Sequence, residues 1–258
     1  MATSCNITTQ SRFSLSSQPE KKVMTTESNS SSPIAAMFDS ISPRYDFLNH
    51  LLSLNIDKSW RRKTVKAVAS RHPQHILDLA TGTADLAIQL AKKMPQAQIE
   101  GLDLSEKMLE IGQDKVKKQG LENQISLQQG DAAHLPFGDD TFDAITIAFG
   151  ARNFEDLTSS LEEIRRVMRS EGRLFILEFS MPTKFPFKQA YKLYFSKILP
   201  KIGSWISKDK NAYSYLSTSV QNFPSPDTFA NILKENGFQQ VEKKAFSLGI
   251  AILYSARK

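Results

Sequence analysis

A chain of 258 residues, 40% apolar and 23% charged, is long enough for one large α/β domain or two small ones around a substantial core. The single cysteine, Cys5, excludes a disulfide framework and a thiolate metal site, and the four histidines, His50, His72, His75 and His134, lack metal-ligand spacing. The net charge of +6 fits nucleic acid, anionic lipid or an acidic substrate equally well, while no segment reaches the roughly 18 apolar residues that span a bilayer.

Residues 1–33 are rich in Ser and Thr and poor in large apolar side chains. Such a segment buries too little surface to offset its ordering entropy, so a disordered tail is expected. Arg12, Lys21 and Lys22 would suit a transit peptide, but Glu20 and Glu27 weigh against one, and a tail or a start at Met24 is the simpler reading. From Ile34 to about Ser70, Met37, Phe38, Ile41, Tyr45, Leu48, Leu51 and Leu52 recur at helical steps. Within that stretch Pro43 suits the first turn of a new helix capped by Ser42.

Strands and helices then alternate: strand 76–80, helix 84–94, strand 98–102, helix 105–119, strands 124–128 and 142–148, helix 156–169 and strand 172–179. Alternation of this kind implies a mostly parallel sheet with helices on both faces. The last portion reads as helices 187–200, 213–218 and 226–236. Two strands follow, 239–246 and 249–256, and the tight link through Ser247 and Leu248 makes them an antiparallel pair at one sheet edge.

In open α/β sheets ligands lie beyond the carboxyl ends of the strands, and four such ends carry chemistry here. The first runs Asp78-Leu79-Ala80-Thr81-Gly82-Thr83-Ala84-Asp85. It is a small-residue turn in which Thr83 or Asp85 would cap the next helix, without the dinucleotide fingerprint G-x-G-x-x-G. The second ends on Asp103, whose carboxylate can accept both ribose hydroxyls, while Ser105 caps the helix behind it. After the third, Gly130-Asp131-Ala132 can hydrogen-bond an adenine amino group and leave room for its ring, and Asp143 precedes the fourth strand. The fourth ends on Gly150 and presents Arg152 and Asn153. Together these ends describe a nucleoside-binding enzyme, with Asp78, Gly82, Thr83, Asp103, Asp131 and Ala132 as candidate cofactor ligands.

The stretches MFDSISPRYDFLNHLLS (37–53), LDLATGTADLA (77–87), GLDLSEKMLEIG (101–112), GDAAHLPFGDDTFDAITIAFGARNFED (130–156), GRLFILEFSMP (172–182) and NAYSYLSTSVQNFP (211–224) resemble the menaquinone/ubiquinone biosynthesis C-methyltransferase family. That family belongs to the class I S-adenosyl-L-methionine-dependent methyltransferases. The resemblance implies a Rossmann-like α/β fold with a seven-stranded, mostly parallel sheet and an antiparallel C-terminal strand. It further implies a methyltransferase domain over 34–258, with 34–70 as a helical lid. Thr83, Asp103, Asp131 and Ala132 would contact S-adenosyl-L-methionine, with no metal. Ala84 departs from the family's usual glycine, and Ala133 from a frequent glutamate.

For a ring carbon to attack the sulfonium methyl, negative charge must develop on a quinol oxygen. Arg152, which cannot readily give up its proton, is expected to stabilise that charge or orient water, and Asn153 to orient substrate. Tyr45, beside Asp46, would wall the substrate pocket or simply pack; His134 is a candidate proton relay; Tyr213 and Tyr215 would line the pocket or pack their helix. Residues 184–210 interleave seven lysines with six aromatics, which suits peripheral contact with a membrane holding a polyprenylated quinol, or else a solvated charged face. The expectation is a cytoplasmic enzyme methylating demethylmenaquinol, peripheral at most on the inner face of the cell membrane, with oligomeric state open. A ubiquinone precursor, 2-polyprenyl-6-methoxy-1,4-benzoquinol, is the alternative ring. A nucleic-acid methyltransferase lacks its Asn-Pro-Pro-Tyr motif and catalytic cysteine. A non-catalytic donor-binding subunit would not need Asp103, Asp131, Arg152 and Asn153 together, and a dehydrogenase lacks its fingerprint.

Overall fold

The computed structural model describes residues 33–53, 55–182, 189, 193, 215 and 218–258, with only the backbone described for 43–52. Helices α1 (Pro33–Leu52) and α2 (Ile56–Ala69) lead into β1 (His75–Leu79), α3 (Asp85–Lys93), β2 (Gln98–Asp103), α4 (Glu106–Lys118) and β3 (Ile125–Gln129). Then come β4 (Phe142–Ala148), α5 (Leu157–Val167), β5 (Met168–Phe179), α6 (Pro226–Glu235), β6 (Gln239–Phe246) and β7 (Ala251–Arg257). The strands form one sheet in the order β3-β2-β1-β4-β5-β7-β6. Only β7 runs antiparallel to its neighbours β5 and β6, so the expected parallel sheet, closed by an antiparallel C-terminal pair, is what forms. The expected helices 187–200 and 213–218 fall almost wholly outside the described residues.

Alternation along each strand sorts side chains to two apolar layers. Ile76, Ala144 and Phe175 pack with Trp60, Val65 and Val68 of α2, with Leu86 and Leu90 of α3 and with Val116 of α4. Leu77, Leu79, Ile145, Ile147 and Leu174 pack with Leu161 and Ile164 of α5 and with Phe229 and Leu233 of α6. Ser105 caps α4 by accepting from the Met108 amide, as expected, and Asp156 and Ser225 cap α5 and α6 in the same way.

Three expectations need correction. No new helix begins at Ser42; α1 runs unbroken through Pro43. Proline removes the amide that would bond the carbonyl of Asp39, and the Ser42 hydroxyl donates to that same carbonyl at 3.0 Å. Neither Thr83 nor Asp85 caps α3: the cap position is Ala84, in the left-handed region without a side-chain bond, and Lys115 Nζ of α4 takes both side chains, at 2.8 and 2.7 Å. Helix α5 ends at Val167, two residues early, because Met168 already joins the sheet opposite Phe142 and a register shift follows.

Just past the paired carboxyl ends of β1 and β4 the two chains meet in one tight contact. A methyl group at Gly150 would stand 2.3 Å from the Ala80 Cβ, closer than two carbons can come. Gly150→Ala is therefore expected to destabilise the protein by about 1–3 kcal/mol, seen as a lower urea midpoint at unchanged slope.

Candidate active site

A cavity of about 250 Å³ opens over the carboxyl ends of β1, β2, β3 and β4. Its floor is the first strand-end loop, where Ala80, Gly82 and Ala84 all have positive φ (51°, 55° and 63°). Only one of the three is glycine; each alanine held there costs about 1–2 kcal/mol. The loop is fixed from both sides. The Thr81 amide donates to the Leu102 carbonyl at 3.1 Å, and the Gly82 amide donates to Asp103 Oδ2 at 2.8 Å.

Asp103 is the hub of the cavity. Its other oxygen accepts from the Ser105 amide at 2.9 Å. Burial pushes its pKa up, the two amides pull it down, and the nearby Asp39 carboxylate raises it further. Asp39 belongs to α1 and accepts from Ser105 Oγ at 2.5 Å and from the Lys107 amide at 3.3 Å. That latch brings Ile34, Ala35 and Phe38 over the cavity, which is how α1 comes to cover it. Of Tyr45 only the backbone position, within α1, is described.

Across the cavity, Gly130, Asp131, Ala132, Ala133 and His134 form a wall. Asp131 Oδ1 accepts from the Ala133 amide at 2.9 Å. The outer end of the wall is tied to α5, where Glu163 accepts from the Leu135 amide and Arg166 donates to the carbonyls of Leu135 and Phe137. Ala132 is buried and leaves an apolar slot beside Leu104 and Met108. His134 stands at the rim, its side chain 86% exposed and 3.8 Å from Asp131, so it faces solvent rather than the interior.

The fourth strand end departs most from expectation. Arg152 does not line the cavity; its side chain is 4% exposed and turned into the protein. Nη1 donates to Glu178 Oε1 and to the Phe149 carbonyl, both at 2.6 Å. The guanidinium expected to stabilise charge on the substrate or to orient water is thus placed against Glu178 and the Phe149 carbonyl, away from the cavity lining. With its charge met by a fully buried carboxylate, the guanidinium positions the turn. Asn153 does line the cavity, and its Oδ1 accepts from the Tyr215 hydroxyl at 3.1 Å. That bond fixes the amide so that its NH₂ is the face left for a ligand. Tyr213 lies outside the described residues.

Asp78 is not among the residues lining the cavity; it borders a small recess with Gly82 and Thr83. It is buried on the α2 face of the sheet, accepting from Thr81 and Thr146 at 2.7 and 2.5 Å. Burial raises its pKa to about 6, against the two hydroxyl bonds and the Arg61 charge that lower it. Thr83 borders a small recess with Asp78, Gly82 and Arg61 rather than the main cavity. Asp143 is remote from all of this: it accepts from the Gln74 and His75 amides at the amino end of β1.

The sequence reading passed over Asp39, Arg61, Phe149 and Glu178. Glu178 had a legible signal, being the one acid inside the apolar run Leu174–Phe179, since a lone carboxylate in a buried strand needs a partner. Arg61 pairs with Asp57 and lies 5.1 Å over the Phe149 ring, and its Nε is buried without a partner. Phe149 holds a left-handed φ of 63° and packs on Phe179 with ring centres 4.4 Å apart.

The family model described as the ubiE/COQ5 methyltransferase family matches residues 24–258. The chain belongs to that family. A demethylmenaquinone methyltransferase of Bacteroides fragilis is 43% identical over 242 residues, covering 93% of this chain and 99% of that one. A ubiquinone/menaquinone biosynthesis C-methyltransferase UbiE of Geotalea daltonii is 45% identical over 226 residues, covering 87% and 96%. Among solved structures, a SAM-dependent methyltransferase from Aquifex aeolicus superposes with a TM-score of 0.54 at 18% identity, covering 74% and 88%. The fold is therefore that of the class I S-adenosyl-L-methionine-dependent methyltransferases. Among the described residues no cluster of His, Cys, Asp or Glu could hold a metal.

Two variants test the buried charges. Glu178→Ala leaves the Arg152 charge unmatched and is expected to cost about 3–5 kcal/mol, whereas Glu178→Gln should recover part of that loss in denaturant titrations. For Asp78 the folded pKa lies above the unfolded value of 3.8, so the folded state takes up a proton between 3.8 and about 6. Stability contributed by protonated Asp78 is present below that window and lost as pH rises through it. Asp78→Asn should therefore gain on the native protein by on the order of 2–3 kcal/mol across the window, read as the change in the difference between their urea midpoints.

Proposed function

We propose that this protein transfers a methyl group from S-adenosyl-L-methionine to a ring carbon of demethylmenaquinol, giving menaquinol. The observation that carries the reading is the position of Asp103, a carboxylate held by two backbone amides at the floor of a cavity with an apolar slot beside it. Such an acid suits a ribose, and the slot at Ala132, next to Asp131, suits an adenine ring. At the other end, Arg61 borders the small recess with Gly82 and Thr83, where its guanidinium would receive the donor's carboxylate. When bound, the donor supplies a sulfonium methyl whose leaving group is a neutral thioether.

The chain's own task is then alignment and exclusion of water, and holding two reactants at about 3 Å can supply ~7–11 kcal/mol of the barrier. Phe149, Gly150 and Asn153 form the side of the cavity nearest the β4 end. Gly150, with no side chain, leaves room there for an aromatic acceptor. Asn153, with its oxygen fixed by Tyr215, offers its NH₂ to a quinol oxygen as negative charge builds there. Arg152 and Glu178 hold the turn that carries Asn153. The naphthoquinol is preferred to a benzoquinol because demethylmenaquinone alone, or menaquinone beside ubiquinone, stands in the names of the similar relatives.

The test is transfer of labelled methyl to a short-chain demethylmenaquinol, with the benzoquinol in parallel. Asp103→Ala should weaken donor binding in calorimetry by tenfold or more, given the ~1.5–3 kcal/mol of a hydrogen bond to a charged group. Asn153→Ala should leave donor binding in place while lowering turnover by roughly 10²-fold, as for loss of one oxyanion donor. Turnover of the benzoquinol alone would transfer the reading to the ubiquinone branch, and failure to bind donor would end it.

A further inference from the structure

Helix α1 carries two features that bear on how the cavity opens and closes. The first is its grip on α4. Ile34, Ala35 and Phe38 share one side of α1 at one-turn spacing and line the cavity. Asp39, next in the chain and half-buried, reaches the amino end of α4. There it accepts from Ser105 Oγ at 2.5 Å and from the Lys107 amide at 3.3 Å. The Ser105 hydroxyl in turn accepts from the Met108 amide at 3.2 Å. Two of the amides left open in the first turn of α4 are thereby met, one from α1 and one from the cap. A carboxylate at that end also suits the helix dipole.

The second feature is a weak point one turn further on. Pro43 has no amide to offer the Asp39 carbonyl, which takes the Ser42 hydroxyl at 3.0 Å instead. Ser42 is helical although a following proline disfavours that conformation. Prolines are where helices bend. Residues 33–42 can thus swing about Pro43, with Asp39 tying them to α4.

We infer that Asp39 is a positioning residue for the methyl donor: it holds residues 33–42 closed over the cavity, and closure and donor binding reinforce each other. The inference rests on the donor reading of the cavity. Asp39 itself does not line the cavity and acts through α1. Its carboxylate is near enough to Asp103 to raise that group's pKa, so closing the empty cavity brings two like charges together. A donor answers that repulsion, because its ribose hydroxyls donate to Asp103 and its sulfonium is a cation. It therefore interacts more favourably with the closed form than with the open one, which is what a ligand needs to shift such an equilibrium. The coupling is reciprocal: the factor by which donor favours closure is the factor by which closure tightens donor.

The experiment uses the full chain with S-adenosyl-L-methionine and no acceptor, so that donor binds without turnover. In the native protein donor should slow deuterium exchange of the amides of residues 36–42 by roughly tenfold or more. Asp39→Ala should lose most of that protection. It should also weaken donor binding in calorimetry by about tenfold, the factor carried by one hydrogen bond to a charged group, mainly through faster dissociation. Its ligand-free urea midpoint reports whether the fold is intact. Asp39→Asn keeps an acceptor oxygen for Ser105 and Lys107 and should recover most of the lost affinity. In turnover, Asp39→Ala should raise the KM for donor more than it lowers kcat. Donor affinity and dissociation unchanged in Asp39→Ala would overturn the inference, as would exchange along 36–42 that ignores donor in the native protein. Native protein that binds no donor would fail the donor reading and this inference with it; native binding with an indifferent Asp39→Ala fails the inference alone.

Discussion

The site depends on a single carboxylate at the end of β2. Asp103 gives one oxygen to the loop after β1 and the other to the first turn of α4, so two segments from different crossovers are locked to one point. Ser105, beside it, caps α4 and donates to Asp39 of α1, which extends the lock to the helix covering the cavity. A burial-raised carboxylate with amide donors already arranged around it remains available as an acceptor on its open side. The group that would recognise a sugar is thus also the group that shapes its own surroundings.

A second device works at the end of β4, where a left-handed residue leads into a short helical turn. Phe149 is bulky and left-handed, a combination that L-residues avoid unless surrounding structure compels it. Three contacts do so here: the Phe179 ring, the guanidinium of Arg61 above its face, and Arg152 bonded to its carbonyl. Glu178 anchors that last contact from the centre of the sheet, since a fully buried carboxylate has no other cation to meet among its bonded partners. The buried ion pair contributes definition more than net stability, because two desolvated charges return little over an apolar pair. What it defines is the placement of Asn153.

Much of this could be read from the chain alone, and the reasons are local. Strand and helix periods, the Ser105 cap and the acid at 103 are short-range features that tertiary contacts did not override. The antiparallel ending followed from the tight link at Ser247 and Leu248. What could not be read were compensations made at a distance or against local preference. Pro43 signals a helix break until the Ser42 hydroxyl replaces the lost amide. Arg152 beyond a strand looks aimed at a ligand, and only the fold shows Glu178 waiting beneath it. Lys115 claims Thr83 and Asp85 from another helix altogether, which no spacing around residue 83 could announce. Lone polar residues in apolar strands, Asp78 and Glu178, were the readable clue that internal networks existed.

The alanines at 80 and 84 have an effect that reaches into the unfolded chain. Glycine would reach the same left-handed angles without strain, but it would also roam more widely before folding. Alanine narrows that roaming, which offsets part of the torsional cost once folded. A turn made this way is stiff before any nucleoside arrives, so little entropy remains to be lost on capture. Donor affinity in this protein is thus bound up with how few shapes its first turn can take.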